Sequence, residues 1–240
     1  MEKKFLVIFR SLGNFPNNRL EDLLKKSDYK IITFPILTVE NIYSKPINTF
    51  NAQAVLVTSA NGLFILSRLS NNKSIRIFTV GSETKRLAHL LGYKNVIDCN
   101  GDSVKMFAKV VENTIKEKGE LIYVGAEDIS TDLPLMLTNI GYKIKRYIVY
   151  RTREIKVMDK SFLNIVESKK LAWVVLLSNK GAANFYRLME KYFSLNYFSN
   201  VKFACLSKNI SKKLPNSIKD KFFADEPSLE SLKNIILKNE

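Results

Sequence analysis

The sequence predicts an α/β protein built on parallel sheets, and three observations predict it. Six short apolar runs recur along the chain, helical patterns lie between them, and one order of elements appears twice. Continuous apolar runs bounded by Gly, Ser or Asn suit strands covered on both faces. Strand alternating with helix is the pattern of parallel α/β sheets.

Taken in order, the first strand is residues 5–9 (FLVIF), closed by Arg10. Residues 31–39 (IITFPILTV) are extended, rich in β-branched side chains and without a helical period. Pro35 lies inside that segment, which argues against a central strand and for an edge or a linker. Residues 54–57 (AVLV) and 75–80 (IRIFTV) are the next buried strands. Residues 83–91 (ETKRLAHLL) form a helix with Leu87, Leu90 and Leu91 on one face and Gly92 as its stop. The run 121–124 (LIYV) is a strand, and Pro134 belongs near the start of the helix that follows. Residues 144–151 (IKRYIVYR) are extended again, before the last two buried strands at 172–177 (AWVVLL) and 201–206 (VKFACL).

The two extended segments read as crossings between domains. Domain 1 is then discontinuous, 1–34 plus 152–240, and domain 2 is inserted as 40–145, with 31–39 and 144–151 as interdomain linker strands. An internal repeat supports this division. VLVTSANGLFIL followed by IRIFTVGSETKRLAHLLGYKNVI is answered by VVLLSNKGAANFYRL followed by VKFACLSKNISKKLP. Each copy runs strand, Ser/Asn turn, helix, strand, small polar turn, helix, as expected of a duplicated half-structure whose copies face each other across a cleft.

Composition bounds the function. The chain has 240 residues, 46% hydrophobic and 25% charged, enough to bury a core without metals or disulfides. Cys99 and Cys205 lie far apart, and with one histidine in the chain no zinc pattern can be written. The opening apolar run is too short for a signal segment, and nothing approaches the ~20 apolar residues of a membrane span. The expectation is a cytoplasmic protein with reduced thiols. The net charge of +15 attracts polyanions. Its lysines are dispersed, however, and a nucleic-acid module would gather basic and aromatic residues on one face. No GxGxxG, GxxxxGK[ST] or HExxH motif occurs, so dinucleotide, P-loop and zincin chemistry lack their residues.

The chemistry falls where strands end and helices begin, because the first N–H groups of a helix are unpaired and carry partial positive charge. These turns are Thr58-Ser59-Ala60-Asn61, Gly81-Ser82, Gly125-Ala126, Ser178-Asn179-Lys180 and Ser207-Lys208. In open α/β sheets ligands bind at the carboxyl ends of strands. Such turns suit a molecule bearing many anionic groups, although Ser, Thr and Asn there also serve as plain N-caps. His89 reads as solvent-facing beside its apolar stripe, and Trp173 as core. Glu127 and Asp128 complement a helix dipole. Tyr150 stands apart, because its crossing strand turns it towards the cleft and a phenol can donate to a departing hydroxyl. A two-domain binding protein for a small anion, without turnover, is the alternative reading.

These residues together resemble the uroporphyrinogen-III synthases over nearly the whole chain. The strand and arginine at 5–10, VLVTSANG at 55–62 and FTVGSETKRLAHLLGY at 78–93 are similar to successive stretches of that family. So are residues 123–152, through the "VY" crossing, and FADEPSLESL at 223–232. The sequence departs where the second VGxxTA pattern reads LSKNIS, and where Lys85 replaces Ala in the first. The resemblance implies two doubly wound, flavodoxin-like parallel-sheet domains joined by a two-stranded linker. It implies closure of hydroxymethylbilane to uroporphyrinogen III, with loss of water, inversion of ring D through a spiro intermediate, and no metal or organic cofactor. Tyr150 matches the family's candidate acid. Arg10, Thr58, Ser59, Ala60, Asn61, Gly81, Ser82, Gly125, Ser178, Asn179, Lys180 and Ser207 become the substrate-binding residues. The expected partners are the substrate alone, with no nucleic acid and no membrane. The expected state is a monomer in transient contact with hydroxymethylbilane synthase.

Overall fold

Each of the six apolar runs is a strand, since unbroken stretches of Val, Ile, Leu and Phe can be buried on both faces of a sheet only when helices cover both. The computed structural model describes residues 3–13 and 18–239. In chain order the elements begin with β1 (Phe5–Leu12), α1 (Arg19–Leu24), β2 (Lys30–Asn41), β3 (Ala52–Val57) and α2 (Ala60–Leu69). Next come β4 (Ile77–Thr79), α3 (Ser82–Leu90), β5 (Val96–Asp98), α4 (Ser103–Asn113), β6 (Glu120–Ala126) and α5 (Leu133–Asn139). The chain closes with β7 (Ile144–Glu154), α6 (Lys160–Glu167), β8 (Leu171–Leu176), α7 (Asn179–Tyr192), β9 (Lys202–Cys205), α8 (Lys208–Ser211), β10 (Lys221–Phe223) and α9 (Leu229–Lys238).

Two compact units result. The first holds β1, the chain through α1 and β2 to Thr38, and everything from Arg153 onward; the second runs from Val39 to Thr152, with Gly13. Within the first the strand order is β2-β1-β8-β9-β10, and within the second β7-β6-β3-β4-β5. Every pairing inside either unit is parallel. The fold is thus mixed α/β with a mainly parallel sheet.

The two orders are one arrangement entered at different points. β1 and β2 occupy the places of β6 and β7, while β8, β9 and β10 occupy those of β3, β4 and β5. The register agrees residue by residue. Phe9 lies opposite Leu176 as Val124 lies opposite Val57, which equates Arg10 with Gly125 and Ile8 with Tyr123. Both units shift register at the same place, between Arg10 and Ser11 and between Gly125 and Ala126. In the first unit the shift falls at Pro35, which has no N–H to give, and in the second at Ile148, so the proline sits where the fold shifts register in any case. Arg10 pairs with Pro35, Ile36 is skipped, and Ser11 pairs with Leu37. The proline is therefore tolerated within a long strand, at the end of that unit's sheet.

Apolar layers cover both faces of each sheet. In the first unit Val7, Phe9, Val174 and Phe203 pack with Phe162 of α6 and Phe185 of α7. On the other face Leu6, Ile8, Trp173 and Val175 meet α1 and α9. In the second unit Val55, Val57 and Val124 pack under α2 and α3, while Leu56, Phe78 and Tyr123 pack under α4 and α5. One detail of the expected α3 face is corrected. Leu90 is 68% exposed, and the buried stripe is Thr84, Leu87 and Ala88, with Leu91 against the core. Residues 84, 87, 88 and 91 follow the 3.6-residue period, which carries position 90 off the stripe.

Burial also sets an alkaline limit to stability. Tyr93, Cys99 and Cys205 are each pushed up to about 12 by desolvation, and Tyr123 and Tyr150 are raised for the same reason. The folded state keeps these protons more tightly than the unfolded chain, so their contribution is complete below pH ~9, the ordinary thiol range. It is expected to fall as the pH rises from about 9 towards 12. Urea midpoints measured across that interval should drop together with the rise of tyrosinate absorbance. A midpoint independent of pH up to 12 would refute it.

Candidate active site

The turn after β3 is built by a side chain that caps a helix. Ser59 has extended backbone and its Oγ accepts the Gly62 N–H at 3.1 Å, filling one of the open donors of α2. Gly62 fits closely there, since a Cβ would stand 3.1 Å from the Val124 carbonyl oxygen. The repeat reproduces this device. Ser178 caps α7 by accepting the Gly181 N–H at 3.1 Å, and a Cβ on Gly181 would lie 2.8 Å from the Ser178 Oγ.

What distinguishes the second unit is a pair of tyrosines aimed at this turn. The Tyr150 hydroxyl, delivered by β7, lies 2.8 Å from the Ser59 Oγ. The Tyr123 hydroxyl, delivered by β6, lies 3.0 Å from the Thr58 Oγ1. Consecutive turn residues are thus each held by a phenol, from opposite faces of one sheet. Tyr150 is 6% exposed, and burial raises its phenol above the ordinary range while the Ser59 contact draws it partly back. It is therefore protonated throughout the neutral range and able to donate a proton.

The other expected site residues of this unit lie along the same carboxyl edge. Ala60 and Asn61 open α2. Gly81 caps α3 with extended backbone, no atom lies within 4 Å of the position a Cβ would take, and Ser82 is exposed beside it. Gly125 also serves the packing of its own strand. A Cβ there would meet the Tyr123 ring at 2.6 Å, so the glycine makes room for a side chain of its own strand. Arg146, opposite Tyr123 in β7, donates to the carbonyls of Ala126 (3.3 Å) and Glu127 (3.0 Å) and pins the loop after β6. Glu127 also lies 3.6 Å from Arg151.

In the first unit Arg10 ends the buried part of β1. Its guanidinium donates to Glu21 at 2.7 Å, and the other Glu21 oxygen accepts from Thr33 at 2.6 Å. Asn179 and Lys180 open α7, and Ser207 precedes the four-residue α8 without a side-chain capping bond. His89 lies beside the α3 stripe with Nδ1 3.2 Å from the Tyr93 carbonyl oxygen, and Trp173 is fully buried beneath Phe222. Among the described residues no cluster of His, Cys, Asp and Glu has the makings of a metal site, and no helix is long and apolar enough to cross a membrane.

Sequence reasoning passes over Tyr123, Gly62, Gly181 and Arg146. The Ser-x-x-Gly spacing, present in both copies, is the available signal for the glycines. Ser59→Ala is expected to cost about 1 kcal/mol through the lost cap, plus the penalty of a buried Tyr150 hydroxyl left without its partner. Ser178→Ala removes only a cap. Chemical denaturation of both variants tests this, and equal losses would mean that the tyrosine contact adds nothing.

Fold and site together define a mixed α/β protein whose strand-end turns are lined by hydroxyls and helix N-termini. The comparisons with known proteins give that class a family. A family model described as uroporphyrinogen-III synthase HemD matches residues 18–234. The uroporphyrinogen-III synthetase of Helicobacter pylori 26695 is structurally similar, with a TM-score of 0.62 and 16% identity, over 98% of this chain and 100% of that one. A mutant uroporphyrinogen III synthase of the extremely thermophilic bacterium Thermus thermophilus is similar with a TM-score of 0.53 and 13% identity, over 98% and 100%. No curated protein matches the sequence. The chain belongs to the uroporphyrinogen-III synthase family. Its reaction is that of a cyclising lyase in tetrapyrrole and heme biosynthesis, closing hydroxymethylbilane to uroporphyrinogen III with loss of water and inversion of ring D.

Proposed function

We propose that the carboxyl edge of the second unit carries the chemistry and that Tyr150 is its acid. The observation behind this is the buried phenol held 2.8 Å from the Ser59 Oγ at the end of β3. On this reading the C–O bond of the substrate's hydroxymethyl group breaks as the oxygen takes the Tyr150 proton and leaves as water. The freed methylene carbon then bonds to the substituted α-carbon of ring D to give the spiro intermediate. The bond from that α-carbon to its original bridging carbon breaks, the bridging carbon rejoins ring D at its free α-carbon, and the proton lost from that position restores the neutral phenol. Arg10, Thr58, Ser59, Ala60, Asn61, Gly81, Ser82, Gly125, Ser178, Asn179, Lys180 and Ser207 hold the acetate and propionate groups, through side chains, helix N-terminal amides and, at Gly125, the backbone at the end of β6. Positioning of this kind contributes ~7–11 kcal/mol in well-oriented intramolecular reactions. It is the main device here, because the linear substrate closes unaided to the uninverted isomer.

Each unit serves in this reading as a flavodoxin-like domain, which the order β2-β1-β8-β9-β10 supports for the first. The enzyme works as a cytoplasmic monomer that receives its substrate from hydroxymethylbilane synthase. The test is purified protein with freshly made hydroxymethylbilane, followed by oxidation and separation of uroporphyrin isomers I and III. Isomer III formed in proportion to enzyme is the expected result. Isomer I alone, at the spontaneous rate, would reject the reading and leave a non-catalytic anion-binding protein.

A further inference from the structure

We propose that Tyr123 is a positioning residue of the cyclisation, acting through the Thr58 hydroxyl; this rests on the functional reading above. Tyr123 is 1% exposed, and its ring runs along β6 over Gly125 so that its hydroxyl reaches Thr58, in the turn just after the neighbouring strand β3, at 3.0 Å. The geometry needs three residues at once. Tyr123 supplies the phenol, Gly125 the space for it, and Thr58 the group it holds.

A hydroxyl has one proton and two lone pairs. Burial raises the Tyr123 phenol and keeps it protonated, with the Thr58 contact and then Arg146 opposing that effect and Asp132 reinforcing it. When the phenol donates to Thr58, the Thr58 proton is freed to point at a substrate carboxylate. Ser59, the next residue, is held 2.8 Å from the Tyr150 hydroxyl, and there the serine is the donor, which leaves the phenol proton free for the reaction. The turn therefore presents two consecutive hydroxyls whose rotors are both set from inside the protein.

The duplicated unit shows that the fold itself does not need this arrangement. By the shared register, Tyr123 corresponds to Ile8, Thr58 to Leu177 and Tyr150 to Leu37, while Ser59 keeps its serine as Ser178. The same sheet, with the same helix cap, closes in the first unit with aliphatic side chains at all three places. Ile8 is fully buried, and Leu177 packs against the same cluster. A purely architectural demand at these positions is met by leucine and isoleucine. The polar trio of the second unit answers a different demand.

The test uses the full chain with Tyr123→Phe, Thr58→Val and the double variant, each assayed for kcat, KM and the ratio of isomers III and I. Phenylalanine keeps the ring over Gly125, so the fold is preserved. Tyr123→Phe is expected to lower kcat/KM roughly three- to tenfold, the scale of one hydrogen bond, mainly through KM, and to raise the share of isomer I. Thr58→Val should do the same, and the double variant should be no worse than the poorer single one, because the two groups act as a unit. A Tyr123→Phe enzyme with lowered Tm but unchanged KM and isomer ratio overturns the positioning role. Losses that multiply in the double variant also overturn it. A wild-type protein giving only isomer I rejects the underlying function instead, so the two failures are distinct.

Discussion

Tyr150→Phe is expected to slow formation of uroporphyrinogen III by about 10²-fold or more, the range over which a general acid contributes. The variant loses one oxygen and keeps the ring, which packs in the apolar layer with Val57, Val124 and Val149. Its stability should therefore change little beyond the lost contact with Ser59. Burial raises the phenol, so its proton is retained well past neutrality. An acid that stays protonated gives an activity plateau across the neutral range, with no loss on the alkaline side until pH ~10 or beyond, the unperturbed phenol range. Single-turnover rates with isomer separation test both statements. Retention of wild-type rate and isomer ratio in Tyr150→Phe would remove this residue from the mechanism.

The second large effect is on stability. Phe9→Ala is expected to destabilise the first unit by about 3–5 kcal/mol, the range for a buried phenylalanine truncated in a core. Phe9 is 1% exposed, and its ring lies 5.0 Å from Phe162, 4.9 Å from Phe185 and 6.2 Å from Phe34, centre to centre. Those neighbours come from α6, α7 and β2, so one side chain ties three elements to β1. A cavity there is bounded by aromatic rings whose own packing limits how far they can collapse into it. Urea unfolding monitored by the near-ultraviolet signal of Trp173, which lies in the same unit, should show an earlier transition. A shift of under about 1 kcal/mol would mean that the layer repacks freely.

Most of the strand framework is legible because burial on both faces leaves an unmistakable mark. FLVIF and AVLV have no polar position to confuse the reading. β5 is not legible. Val96, Ile97 and Asp98 are all half-buried and make only a three-residue strand at the end of a sheet, too short for any period. β2 reads as a crossing, and its residues from Lys30 to Thr38 also pair with β1, with a register shift just after Pro35. Composition carries no sign of such a shift.

The candidate site divides in the same way. Ser59 and Ser178 stand out locally as caps, with their glycines three residues on. The partners of the turn do not. Tyr123 is 65 residues from Thr58, and Tyr150 is 91 from Ser59, so each contact exists only once β6 has paired with β3 and β7 with β6. Gly125 is expected at the substrate because small residues admit ligands. The ring of Tyr123 occupies the space that its missing side chain leaves. Nothing in the local sequence separates those two uses of a glycine.

That the second unit is one almost uninterrupted stretch of chain, while the first is split around it, has a consequence for how the protein is made. A ribosome that has passed Thr152 has delivered every strand of the second unit, whereas β1 still lacks β8, its neighbour on one side. At ~5–20 residues per second, the interval between β1 and β8 lasts roughly 8–35 s. During that time Leu6, Val7, Ile8 and Phe9 have β2 along one edge and no strand along the other. The nascent chain therefore carries a sticky, half-paired strand until β8 emerges. The inserted unit has all its strands first, and β1 is among the last strands to gain both neighbours.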